Sequence, residues 1–223
     1  MRAVTTAEMT AERPKPLLRG VSHEIAAFAF APASLALVAG AKSGAAMAGA
    51  ATYGVSLFTL FLVSAVYHRP FWTPRKRDLI GRLDHSAIFI LIAGTYTPFC
   101  LLLGEAGTAM LVGSWVGASL GVAMSVFWPG APKPLVALVA VLLGWQVLPL
   151  APPLQGVLGP GALALVIAGG VLYTLGAVVY ALRRPDPFPR VFGFHEIFHL
   201  FVVAAALCHF LAVRQAILAL GAG

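Results

Sequence analysis

Apolar residues form seven long runs along the chain, separated by short segments rich in proline, glycine or charge. The runs cover approximately residues 22–40, 45–69, 84–103, 108–128, 134–150, 161–182 and 193–213. A helix of about 20 apolar residues crosses the hydrocarbon core of a bilayer, and the sequence does not show the alternating strands of a membrane barrel. The pattern therefore predicts an all-α membrane protein, with seven transmembrane helices bundled in one domain.

Composition supports a lipid environment. Of the 223 residues, 60% are hydrophobic and only 10% are charged, whereas soluble domains carry about 25% charged residues. We therefore expect a multi-pass protein of the cell's inner (plasma) membrane.

The basic residues are distributed unevenly between the loops. If the loops alternate sides, every Lys and Arg except Lys42 and Arg214 falls on one side, together with the N-terminus. The positive-inside rule then places the N-terminus in the cytoplasm and the C-terminus outside. We expect residues 1–20 to form a flexible basic cytoplasmic tail and residues 21–223 to form the seven-helix domain.

The same distribution predicts the partners of the chain. Basic loops on the cytoplasmic side are expected to contact membrane lipids, in particular the anionic headgroups of the inner leaflet. Basic and aromatic residues do not alternate as they do on nucleic-acid-binding surfaces, so no nucleic-acid partner is expected.

Several polar residues occur at the ends of the apolar runs. Ser64 and His68 end the second run, Asp84 begins the third, and His195 and His199 begin the seventh. Ionisable residues are costly in membrane helices and usually have a partner and a function. The predicted topology brings these three helix ends to one leaflet. Because residues four apart share a helix face, His195 and His199 can direct two imidazoles at one point.

Three neutral imidazoles suit a zinc ion. His68, His195 and His199 would hold it and leave a fourth position for water, as in catalytic zinc sites. Asp84 could hold and deprotonate that water, or it could ligate the metal directly. Ser64 could donate a hydrogen bond to the water or to a substrate oxygen.

The remaining membrane histidines are assigned structural or interfacial roles. His209 lies about 15 Å beyond His199 along the helix and cannot reach the same ion. His23 and His85 lie near the predicted membrane surface, where water can solvate them. A structural role is also expected for three glycines whose spacing is typical of closely packed membrane helices: Gly113, Gly117 and Gly121.

The segment from His195 to His199 also matches H-E-x-x-H, the zinc-protease motif in which Glu196 would be the general base. The motif begins the last helix at the cytoplasmic face, and His68 is already available as a third ligand. An intramembrane metalloprotease stays an alternative. A non-catalytic receptor with structural zinc is another, and so is a transporter, for which we see neither broken helices nor inverted repeats.

Three blocks of the sequence resemble the hemolysin III family: SAVYH (64–68), LDHSAIFILIAGTYTPF (83–99) and FGFHEIFHLFVV (192–203). This family is the bacterial branch of the progestin and adipoQ receptor superfamily, which includes the adiponectin receptors. The resemblance extends from about residue 20 to the end and implies seven helices with a cytoplasmic N-terminus. It also implies zinc held by His68, His195 and His199, with Asp84 contacting the zinc-bound water and Ser64 nearby.

The resemblance bears on function as well. Adiponectin receptors have glutamine in place of Glu196, which argues against an obligatory base there, so we expect Glu196 to support the site indirectly or to pair with a loop arginine. The alkaline ceramidases, related seven-helix enzymes, use a similar zinc site to cut lipid amides. The resemblance thus implies a zinc-dependent hydrolase of lipid amide or ester bonds, or a lipid sensor built on that site, in membrane homeostasis.

Overall fold

The computed structural model describes residues 15–222, which form seven α-helices and one short 3-10 helix. In chain order these are α1 (Val21–Ala39), α2 (Gly44–His68), α3 (Pro74–Leu103), α4 (Glu105–Phe127), α5 (Lys133–Trp145), the 3-10 helix (Leu148–Leu150), α6 (Ala151–Leu182) and α7 (Phe194–Leu220). Within residues 15–222, extended structure is limited to an isolated bridge between Phe188 and Phe192. The prediction of an all-α protein is confirmed.

Six helical stretches of the described chain are long enough and apolar enough to cross a membrane. Five of them are α1 to α4 and α7, and the sixth is the 50-residue stretch from Lys133 to Leu182. The prediction of a multi-pass membrane protein is therefore confirmed. The count of seven spans and the orientation stay predictions.

The sixth stretch folds back on itself at Gly159. This residue has φ 82° and ψ 172° inside α6, a conformation open to glycine because it lacks a Cβ. The indole N–H of Trp145, before this point, donates a hydrogen bond of 3.0 Å to Thr174 Oγ1 after it. Because the two residues are nearly equidistant from Gly159 in sequence, the two arms run antiparallel.

The helical arm before Gly159 is longer than predicted. The sequence pattern ended the fifth run at residue 150, whereas α6 already begins at Ala151. The predicted break covers residues 151–161 and so includes Gly159, but Pro152 and Pro153 occupy the first turn of α6, where proline is tolerated because its missing N–H would have no partner.

Helix α7 lies among several helices of the bundle. It packs against α6 and also contacts α1, α2 and α3. The buried apolar core includes Tyr53 and Phe61 of α2, Phe99 of α3 and Val213 of α7. This arrangement places the first turns of α7 beside the last turn of α2.

Hydrogen bonds join the N-terminal segment to two loops at one end of the bundle. The N–H of Leu17 donates to the Arg190 carbonyl at 3.0 Å, in the segment between α6 and α7. The Lys15 ammonium donates to the Arg69 carbonyl at 2.8 Å, just after α2. The structure thus brings together three of the basic segments that the sequence assigned to one side.

The opposite end of the bundle carries the loop between α1 and α2. There the Ser43 hydroxyl donates a hydrogen bond of 2.9 Å to the Leu220 carbonyl at the end of α7. Residues 1–14 of the predicted basic tail lie outside the described residues, so their part of the tail stays a prediction, whereas Leu17 and Leu18 are hydrogen-bonded to the segment between α6 and α7.

Glycines of α4 allow α3 and α5 to approach closely. A Cβ at Gly121 would overlap the ring of the fully buried Phe89 on α3, and one at Gly117 would overlap Leu143 on α5. A Cβ at Gly113 would instead meet open space. Two of the three glycines assigned to close packing therefore have that role, and Gly113 does not.

Substituting these glycines tests the packing. We expect Gly121→Ala to lower the free energy of unfolding by about 1–3 kcal/mol, because the new methyl group overpacks against Phe89. The matched control in the same helix, Gly113→Ala, should be neutral or stabilising by up to about 1 kcal/mol. Unfolding in detergent micelles measures both, and equal effects would contradict the packing described here.

Candidate metal centre

Three histidines converge at the end of the bundle that carries the N-terminal segment. His68 is the last residue of α2, and His195 and His199 lie one turn apart at the start of α7. One ring nitrogen from each lies within 4.8 Å of those from the other two. His68 and His199 are buried and His195 is half-buried. The structure therefore brings the three predicted ligand residues together, in a group that could hold a metal ion.

The distances between the ring nitrogens, and one nitrogen without a partner, fit a cation. Nε2 of His195 lies 3.2 Å from Nε2 of His68, and two nitrogens bound to one tetrahedral zinc ion lie about 3.3 Å apart. Nδ1 of His199 is buried and has no hydrogen-bond partner. Neutral imidazole is also a common zinc ligand. The donor set thus suits a borderline-soft divalent metal, with small movements of the rings.

Side-chain caps fix the start of α7 and with it the face that carries the two histidines. The N–H of Gly193 donates to Oε2 of Glu196 at 2.7 Å. The N–H of Phe194 donates to Oδ1 of Asp186 at 3.2 Å. These carboxylates satisfy N–H groups that have no partner within the helix and favour the helix dipole.

Glu196 also forms an ion pair that ties α7 to the N-terminal segment. Nε of Arg19 donates to Oε1 of Glu196, and the two side chains are 23% and 3% exposed. Both carboxylate oxygens are therefore engaged, one by Arg19 and one by Gly193. Glu196 pairs with an arginine as expected, although that arginine precedes α1 instead of lying in a loop.

Asp84 and Ser64 lie at the edge of the histidine group. Oδ2 of Asp84 is 4.0 Å from Nε2 of His68, too far for a hydrogen bond. Ser64, one turn before His68 on α2, is buried and lies beside the Asp84 carboxyl group. The structure thus places both predicted residues next to the three histidines, but outside the set of mutually close donor atoms.

Sequence comparison identifies the family. The model of the family described as "Haemolysin-III related" matches residues 11–210. The chain belongs to this family. It is 35% identical over 210 residues to "Hemolysin-3" of Bacillus cereus, covering 92% of this chain and 93% of that protein.

Two further relatives extend the comparison. The "Hemolysin-3 homolog" of Bacillus subtilis (strain 168) is 34% identical over 163 residues, which cover 72% of this chain and 73% of that protein. The human "Monocyte to macrophage differentiation factor" is 28% identical over 170 residues, which cover 72% of this chain and 67% of that protein. The resemblance to the hemolysin III family that the three sequence blocks carry is confirmed.

A fourth histidine of this hemolysin III protein packs against the three histidines of the metal centre. His23 of α1 is only 3% exposed and stacks on His199, with ring centroids 3.8 Å apart. The expectation that water solvates His23 is therefore wrong, because α1 packs it inside the bundle. The criterion that selected the other residues, a polar side chain at this end of a membrane helix, also applies to His23.

His209 behaves as predicted in this family member. Its Nε2 lies 3.0 Å from the Val166 carbonyl of α6, so its ring bridges two helices away from the metal centre. This contact makes His209 a suitable control for substitutions of the other histidines.

Removing a charge tests the ion pair between Arg19 and Glu196 in this hemolysin III protein. We expect Glu196→Gln to lower the free energy of unfolding by about 1–3 kcal/mol, because a hydrogen bond between charged groups is lost at a buried position. Glu24→Gln is the control, since Glu24 pairs with Arg69 at 2.7 Å where the side chains are 41% and 43% exposed. Glu24→Gln should lower the free energy of unfolding by less than about 1 kcal/mol. Equal losses on unfolding in micelles would argue against a structural role for the Arg19–Glu196 pair.

Proposed function

We propose that this protein is a zinc-dependent membrane hydrolase that cuts amide or ester bonds of lipids and acts in membrane homeostasis. The observation that carries the proposal is the convergence of three histidine ring nitrogens within 4.8 Å, next to a carboxyl group. His68, His195 and His199 would hold the ion. When bound, zinc lowers the pKa of a water ligand toward about 7 and polarises a carbonyl group.

Asp84 takes the role of proton carrier in this proposal. Asp84 Oδ2 is 4.0 Å from His68 Nε2, but the Asp84 carboxylate does not belong to the set of donor atoms that lie within 4.8 Å of one another, which the three histidines form. This spacing favours contact through a water molecule over direct ligation. Asp84 then accepts a proton from the attacking water and passes it to the leaving group. The Ser64 hydroxyl, beside it, donates a hydrogen bond to Asp84 or to a substrate oxygen.

The surroundings of Glu196 favour this proposal over an intramembrane metalloprotease. In such proteases the glutamate of the motif is the general base and needs a free carboxylate oxygen. Here one oxygen pairs with Arg19 and the other accepts the Gly193 N–H. A carboxylate held in this way connects α7 to the N-terminal segment, and Asp84 is the better placed base.

A catalytic role also fits the number of protein ligands better than a structural role. Structural zinc sites normally have four protein ligands, whereas catalytic sites have three and an open position. The group of mutually close donors contains three histidines. Lipids of the inner leaflet would be both the surroundings and the substrates of the site.

Metal content and turnover test the proposed site together. We expect protein purified in detergent to contain about one zinc per chain, and His68→Ala, His195→Ala and His199→Ala to lose it. Asp84→Asn should keep the zinc but lower hydrolysis of amide or ester lipids by at least about 100-fold.

His209→Ala is the matched control for these variants and should keep both metal and turnover. Wild-type protein without metal would contradict the site. Zinc retention without hydrolysis of either lipid class would contradict the hydrolase and leave a non-catalytic lipid sensor or receptor built on the same site.

We also propose that the chain crosses the membrane seven times, with the N-terminus in the cytoplasm and the C-terminus outside. The stretch from Lys133 to Leu182 has 50 residues; a helix of that length spans about 75 Å, more than twice the hydrocarbon core of about 30 Å. The turn at Gly159 supports two crossings. The basic segments gathered at the N-terminal end support the orientation and would contact anionic headgroups there.

Reporter fusions distinguish six from seven crossings. We expect alkaline phosphatase fused after Gly223 to be active outside the cytoplasm, and green fluorescent protein fused there to stay dark. The same reporters fused after Arg184, between α6 and α7, should give the reverse result. A fluorescent C-terminal fusion would place the C-terminus in the cytoplasm and contradict the proposed topology.

A further inference from the structure

The proposed roles leave His23 unexplained. Its side chain is 3% exposed, and neither ring nitrogen has a hydrogen-bond partner of good geometry, although the backbone of His199 lies close to the ring. Burying polar groups without partners is destabilising, so an apolar ring would be the more stable occupant of a position that serves packing alone. The two unpaired nitrogens therefore point to a ligand that reaches His23 when the site is in use.

The orientation of the ring shows that His23 is not a ligand of the same ion as His199. The two rings are stacked, with planes only 9° apart and centroids 3.8 Å apart. The lone pair of an imidazole nitrogen lies in the ring plane, so an ion in the plane of His199 would lie well outside the plane of His23. The group of mutually close donors accordingly contains the other three histidines.

Contacts on both sides of His23 hold the start of α1 against the metal centre. Gly20, one turn earlier, has φ 81°, and a Cβ placed there would lie 2.7 Å from Cβ of His68. The ring of Phe61 meets His23 edge-on, with centroids 5.0 Å apart. His23 is thus fixed beside two of the three ligand residues.

We propose that His23 is a binding residue of the metal centre, which hydrogen-bonds the carbonyl or hydroxyl oxygen of a group bound beside the ion. This inference rests on the proposed metal centre. A neutral imidazole carries one donor and one acceptor, which matches the polar atoms of an amide- or ester-bearing lipid. Stacking on His199 holds the ring of His23 in place while its nitrogens stay available.

The test uses the full-length protein loaded with cobalt and titrated with acetohydroxamate, a small amide-like metal ligand, while the visible spectrum is recorded. His23→Phe keeps the ring and its stacking but removes both nitrogens. We expect its affinity for the metal to be unchanged and the dissociation constant of acetohydroxamate to rise about threefold to tenfold, the effect of one lost hydrogen bond.

Three further variants sharpen the test. His23→Leu provides a second apolar replacement with the same expected weakening. His23→Gln, which can still hydrogen-bond, should fall between wild type and His23→Phe. The matched control is His209→Phe, in which a half-buried histidine bonded to the Val166 carbonyl is replaced, and it should bind acetohydroxamate as wild type does.

Acetohydroxamate binding at wild-type affinity in His23→Phe and His23→Leu would overturn the inference and leave the metal centre intact. Loss of cobalt itself from both variants would also overturn it, because His23 would then build the metal site instead of binding a ligand. Wild-type protein that binds neither cobalt nor zinc would overturn the metal centre and this inference together.

Discussion

Imidazole groups inside an apolar helix bundle must find partners, because lipid and apolar side chains offer neither donors nor acceptors. In this protein the ring nitrogens of His68, His195 and His199 lie close to one another. Nε2 of His68 lies 3.2 Å from Nε2 of His195, and His199 adds a buried nitrogen with no partner. A cation shared between the three rings would give each of them a partner, which is why we propose a metal there.

The fold keeps these rings together through contacts outside the metal centre. The pair between Arg19 and Glu196 connects the N-terminal segment to α7, and Gly20 allows that segment to pack against His68. The segment is bonded in turn to the loops that follow α2 and α6. The start of α1 therefore forms one wall of the site. Glu196 helps to hold it there through Arg19, a structural role that the zinc-protease-like motif does not suggest.

Much of this arrangement could be predicted from the sequence, because it depends on local periodicity and on which end of each helix a residue occupies. His195 and His199 share a helix face by spacing, and the loop charges place His68 near them. The burial of His23 depends on how α1 and the N-terminal segment fold over the site, which no local pattern reveals. The sequence pattern predicts a break over residues 151–161, which contains Gly159, but it does not reveal that Pro152 and Pro153 already lie in a helix, because proline begins helices readily.

X-ray absorption at the zinc edge tests the central claim most directly, since it counts and identifies the atoms around the ion in purified protein. The account predicts three imidazole nitrogens at about 2.0–2.1 Å and one further light atom. A spectrum with fewer than three imidazoles, or one dominated by sulfur, would contradict the convergence of His68, His195 and His199 on one ion.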